Sequence, residues 1–171
     1  MYTLGLDVSS RAIGWAVLRK DELIASGAIC VKTPGFEDRL FEIANRLKII
    51  ILKNNTIFDL AAIERPVFVK NIKATAMIHQ VVGAVRFVCR SMGIRLIERS
   101  PAEWKAAIGR GSDKKEQVRD TLIAMGYKFT TCMDDETDAI GVALGHYYMT
   151  MYPEEFEKPE PMQKKKKEKK K

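Results

Sequence analysis

The sequence predicts an α/β domain: a five-stranded mixed sheet with helices on both faces. Three observations predict it. Three runs of strand character follow one another at the N-terminus with short polar linkers between them. Two later apolar runs are each reached across a segment of helical periodicity. Helical segments then fill the chain to about residue 151, so the order is βββαβαβ followed by helices.

Taken in order, Thr3–Asp7 reads as a strand with Leu4 and Leu6 on one face. Gly14–Leu18 and Leu23–Val31 read as the second and third strands, and "SSRA" and "RKDE" are the hairpin linkers. From about Phe36 to Lys53, Leu40, Ile43, Ala44, Leu47 and Ile50 or Ile51 recur at helical spacing. "FDLAAIERP" suits a parallel strand buried on both faces. Ala74–Arg90 reads as a helix stopped by Gly93, and "IRLIER" as the fifth strand. In "SPAEWKAAI", Ser100 is placed as N-cap, Pro101 as first helical residue and Glu103 as capping-box partner. "GRGSD" leads into a helix at about Lys114–Met125, and a last helix runs from about Glu136 to Met151. Residues 1–152 form one domain on this reading. The stretch 153–171, with three prolines and a lysine run, is read as a disordered tail that is either solubilising or a sequence-independent grip on phosphates.

The chain has 171 residues, the length of one domain, and a formal net charge of +7. The segment from Pro153 onward holds 8 Lys and 5 Glu, a net of +3, which leaves +4 on the body. A modestly basic body suits a polyanionic partner without requiring one. Cys30, Cys89 and Cys132 are widely spaced, with no CxxC or Cys/His cluster, so they are read as reduced thiols rather than zinc ligands. Asp7 interrupts any signal-peptide core, and the aliphatic run Ile49–Leu52 is too short to cross a membrane. The expectation is a soluble cytoplasmic protein with no membrane partner. His79 and His146 lack ligand spacing and are read as structural.

Four carboxylates adjoin apolar sequence. Asp7 ends the first strand, Glu64 ends the fourth, and Asp135 and Asp138 share one face of the last helix at i, i+3 spacing. Each has a structural alternative: Asp7 as a turn cap, Glu64 paired with Arg65 or a distant arginine, and the helix acids favouring the dipole. For Asp134 and Glu136 that alternative is preferred. If the first and fourth strands are neighbours, Asp7 and Glu64 stand side by side, and clustered carboxylates call for a hard divalent cation, Mg²⁺ or Mn²⁺.

"LGLDVSSRAIGWAVL", "AAIERPVFVKN", "SPAEWKAAIGRGSDKKEQV" and "DDETDAIGVALGH" stand in this order and at fitting distances. Together they resemble the RuvC family of Holliday-junction resolvases, which have the RNase H-like fold, and the resemblance reaches to about Tyr148. The first motif alone also opens actin-like ATPases; the acid series with its lysine segment is the specific part. The resemblance implies that Asp7, Glu64, Asp135 and Asp138 hold two Mg²⁺ ions per site, with Mn²⁺ as the alternative and Asp7 as the bridging ligand. It implies Lys105 and Lys115 as active-site lysines, Lys114 being a rival to Lys115. Phe68, Lys70, Arg110, Lys114 and Lys115 are expected to face DNA.

Two positions depart from the family pattern. Val8-Ser9 stands where the family commonly has Pro-Gly, so this turn is built without glycine. Val67 stands where the family places an aromatic residue, with Phe68 one position later. The activity implied is symmetric hydrolysis of paired phosphodiesters in four-way DNA junctions, leaving 5′-phosphates and 3′-hydroxyls, by a homodimer. The helix Ala74–Arg90 offers Met77, Ile78, Val81, Val82, Val85 and Val88 mainly to the core, with a second apolar stripe for the dimer contact. No helicase partner is named by the residues. The rivals are a branched-DNA endonuclease that also cuts Y-forks and flaps, a non-catalytic branched-DNA binding module, and an actin-like ATPase, whose two-domain fold does not fit in 171 residues.

Overall fold

The computed structural model describes residues 1–66, 70–109, 115–131 and 133–156. Five strands form one sheet in the order β3-β2-β1-β4-β5. They are β1 (Tyr2–Val8), β2 (Ala12–Arg19), β3 (Glu22–Cys30), β4 (Leu60–Glu64) and β5 (Leu96–Arg99). The first three pair antiparallel as hairpins, and β4 and β5 join parallel to β1 through helical crossovers. The mixed five-stranded α/β sheet expected from the sequence is the one found.

Alternation along the strands divides the molecule into two layers of core. Leu4, Leu6, Ile13, Val17 and Ile63 point to the side covered by α1 (Phe36–Lys53) and α2 (Ile72–Ser91). Gly5, Ala16, Leu18 and Ala62 point to the other side, covered by α3 (Pro101–Ala107), α4 (Lys115–Ala124) and α5 (Asp134–Met151). The α1 bounds match those read from the periodicity. Helix α2 starts two residues earlier than Ala74, because Asn71 caps it by accepting from the Ala74 amide at 3.2 Å. Helix α5 starts two residues earlier than Glu136, with Met133 at the N-cap and no side-chain cap bond.

The glycine-free turn after β1 is closed by Ser9. Its Oγ accepts from the Ala12 amide at 2.9 Å, and its amide donates to the Ala12 carbonyl at 2.9 Å. Among the described residues the non-glycine positive-φ positions are Lys20 and Asn55, so this turn needs no left-handed residue. Helix α2, 20 residues long, is apolar and long enough to cross a membrane by length and composition. Its valines 81, 82, 85 and 88 instead enter the core against the sheet. Pro153–Glu155 forms a 3-10 turn on the end of α5, where the tail was expected to begin. The lysine run lies outside the described residues.

Candidate active site

Asp7 and Glu64 come together through strand register. The central strands β1 and β4 run parallel with Leu6 beside Ile63, so one step further the two acids lie side by side. Adjacent backbones there are about 5 Å apart. Both side chains take the α5 side of the sheet: Asp7, two residues along β1 from Gly5, shares its face, and Glu64 receives a 2.8 Å hydrogen bond from Trp104 Nε1.

The start of α5 is set against this pair by two glycines. A Cβ on Gly5 would lie 2.1 Å from the Ala139 carbonyl oxygen. A Cβ on Gly14, the β2 partner of Asp7, would lie 1.7 Å from the carbonyl oxygen of Asp135. Only residues without side chains allow a helix backbone so near a sheet. The first turns of α5 therefore face the Asp7 end of β1. Asp135 is half-buried and Asp138 is buried, whereas Asp134 is exposed. Among the described residues no group of three or more His, Cys, Asp or Glu side chains stands in a metal-holding arrangement. What the fold assembles is an acid pair on two central strands faced by the acidic start of a helix.

Glu136 has a different role, which the sequence reading missed. It is fully buried and turns away from this cluster toward β3. Its Oε1 accepts from Ser26 Oγ at 2.6 Å and from the Thr130 amide at 2.9 Å, with Thr130 Oγ1 at 2.7 Å. Its Oε2 accepts from the amide and the hydroxyl of Thr131, both at 2.6 Å. Burial pushes this carboxyl up, but the hydrogen bonds from Ser26, Thr131 and Thr130 outweigh it and hold Glu136 below the usual carboxylate range. Glu136 pins the start of α5 to β3. The serine and threonines lie more than a hundred and about five residues away, so helix-end acidity was the visible signal and the cage was not.

Arg99, paired with Glu64 across β4 and β5, donates to His146 Nδ1 through Nη2 at 2.9 Å and Nε at 3.2 Å. Burial lowers the His146 pKa to about 4, with Arg99 and Arg95 adding to the effect, so the ring is a neutral acceptor. The structural reading of His146 fits this contact, and His79 is exposed. Lys105 Nζ sits 5.4 Å from the Trp104 ring centroid, next to the tryptophan that holds Glu64. Arg65 faces Glu98 at 3.7 Å, and Arg86 also pairs with Glu98. Lys70 is exposed near the start of α2. Lys115 begins α4, but its side chain, like Phe68, Arg110 and Lys114, lies outside the described residues.

The comparisons with known proteins agree with this architecture. The family profile "Crossover junction endodeoxyribonuclease RuvC" matches residues 3–146. A crossover junction endodeoxyribonuclease RuvC of Sorangium cellulosum is 32% identical over 152 residues, covering 85% of this chain and 84% of that protein. The corresponding protein of Campylobacter curvus is 33% identical over 152 residues, covering 85% of this chain and 96% of its own length. Among solved structures, Thermus thermophilus RuvC in complex with a Holliday junction substrate superposes with a TM-score of 0.77 at 20% identity, covering 88% of this chain and 94% of that one. The yeast mitochondrial Holliday junction resolvase Ydc2 gives 0.63 at 13% identity, covering 90% and 80%. The structural likenesses establish the fold. With a profile spanning nearly all of the described domain and relatives above 30% identity over most of both chains, the acid-bearing sheet and helix described above belong to a member of the RuvC family of crossover junction endodeoxyribonucleases.

Proposed function

We propose that this chain hydrolyses DNA phosphodiesters in four-way junctions with divalent cations held by Asp7, Glu64, Asp135 and Asp138. The observation that carries the reading is the side-by-side placement of Asp7 and Glu64 on the two central strands, against the acidic first turns of α5. The donor set fits the group: every candidate donor is a hard carboxylate oxygen, which suits Mg²⁺, with Mn²⁺ as the alternative, over softer metals. When bound, two such ions supply an activated water and stabilise charge on the leaving oxygen.

The protein's own residues supply position and charge. Trp104 fixes one oxygen of Glu64. Lys105, above the Trp104 ring, offers an ammonium to the phosphate backbone. Lys115, with Lys114 as its rival, would offset charge in the transition state. Phe68, Lys70 and Arg110 would meet DNA from the segments that flank the acids. Residues 157–171 carry 8 Lys and 3 Glu and would add a grip on phosphates that salt weakens. Two symmetric cuts need two sites, which a homodimer provides. The outward side of α2, where Ile72 and Phe87 are 82% and 75% exposed, is the apolar surface offered for that contact.

The test is cleavage of labelled four-way, three-way, flap and duplex DNA in Mg²⁺ by the wild type beside Asp7→Asn. The expected result is paired, ligatable nicks in the four-way junction, with cleavage by Asp7→Asn lower by at least about 10²-fold at unchanged junction binding. A wild type that cuts none of the substrates refutes the nuclease reading. Cleavage retained by Asp7→Asn refutes the site. Equal cutting of flaps and four-way junctions replaces junction resolution with relaxed branched-DNA cleavage.

A further inference from the structure

Trp104 is the largest fully buried side chain of the molecule's described residues, and its single polar atom is directed at a candidate metal ligand. A buried indole N–H requires an acceptor, and the fold supplies Glu64 Oε2 at 2.8 Å. Glutamate has three side-chain torsions to order before it can act as a ligand, so a fixed donor on one oxygen limits where the other can point.

The ring itself is held by absence of side chains on α5. A Cβ on Gly141 would lie 2.5 Å from Trp104 Cζ3, and a Cβ on Gly145 would lie 2.8 Å from Trp104 Cα and Cβ. Glycine is a poor helix former, so two of them four residues apart inside a core helix call for a packing reason. The reason is that together they form a slot for Trp104, Gly141 making room for the indole and Gly145 for the backbone that carries it. The same ring carries the Lys105 ammonium over its face. One side chain thus sets both Glu64 and Lys105.

We infer that Trp104 is a positioning residue: seated in the Gly141–Gly145 slot, its indole N–H orients Glu64 for divalent-cation binding. The inference rests on the reading of Glu64 as a metal ligand. Full-length wild type, Trp104→Phe, Gly141→Ala and Glu64→Gln are titrated with Mn²⁺, the free ion being followed by electron paramagnetic resonance, and their melting is recorded alongside. Trp104→Phe fills the slot without the donor and is expected to weaken Mn²⁺ binding about tenfold or more while still melting cooperatively. Its cleavage is expected to recover when Mg²⁺ is raised in proportion, a rescue that a purely structural role would not give. Gly141→Ala keeps the N–H but displaces the ring, and is expected to weaken Mn²⁺ in the same direction. Folded Trp104→Phe with wild-type Mn²⁺ affinity overturns the inference while Glu64→Gln still loses the ion. If Trp104→Phe does not fold, folded Gly141→Ala with wild-type affinity overturns it. Wild-type Mn²⁺ binding by Glu64→Gln overturns instead the ligand reading on which it rests.

Discussion

Replacing Glu136 by glutamine changes one oxygen to an amide nitrogen inside a cage of donors. With the new oxygen on the Ser26 and Thr130 side, the amide nitrogen faces the Thr131 amide. The Thr131 hydroxyl can turn and accept, but the Thr131 N–H cannot, and an orphaned buried donor costs about 1–3 kcal/mol. Loss of the charge weakens the surviving bonds by roughly another 1 kcal/mol. A destabilisation of about 2–4 kcal/mol follows, lowering Tm by about 5–15 °C for a domain of this size. The pH dependence has a definite sign. Because the folded-state pKa of Glu136 is below its ordinary value of 4.5, its stabilisation is full above that value and is lost as pH falls through the folded pKa. Urea unfolding of wild type and Glu136→Gln should therefore show the full gap at pH 7 and a narrower one below about pH 4. A gap under about 0.5 kcal/mol at pH 7, or one that does not change with pH, refutes the reasoning.

Three further outcomes are expected. Gly14→Ala forces a Cβ against the backbone of Asp135 and should cost about 1–3 kcal/mol in denaturant unfolding and depress junction cleavage; an unaffected protein would mean that α5 does not sit where described. His146, whose folded pKa of about 4 lies below its ordinary 6.5, makes the folded state bind fewer protons than the unfolded one between those values. Its contribution should therefore erode stability by up to about 3 kcal/mol as pH falls from 6.5 toward 4, and His146→Gln should show a shallower acid decline by calorimetry. Removing residues 157–171 should weaken junction binding at low salt and flatten its salt dependence, with cleavage at saturating DNA retained; a changed rate at saturation would give the tail a role in the reaction.

How far the sequence could be read depended on the range of each interaction. The capping box of α3 is local, and it stands as expected: Ser100 Oγ accepts from the Glu103 amide and Glu103 Oε2 from the Ser100 amide. The neighbouring positions of β1 and β4 followed from the order of elements, and with them the pairing of Asp7 and Glu64. Arg65, a candidate partner for Glu64, faces Glu98 on β5, a residue whose nearness only the register reveals. Glu136 looked like any acid at a helix start until Ser26, from distant sequence, and the nearby Thr131 closed around it. Nothing in the short segment around Trp104 marks it as more than an apolar residue. The slot that gives it meaning is cut in α5, some forty residues on.

Among the described residues helix α5 is the last long element, and it lies across β1, β2 and β4. Its arrival both covers an apolar sheet face and brings Asp135 and Asp138 to the acids of the central strands. A chain interrupted before residue 134 would carry Asp7 and Glu64 but half of the proposed ligand set, with greasy strands laid open to chaperones and proteases. Covering the sheet and completing the proposed acid set thus depend on one helix, so loosening α5 would cost stability and cation binding together.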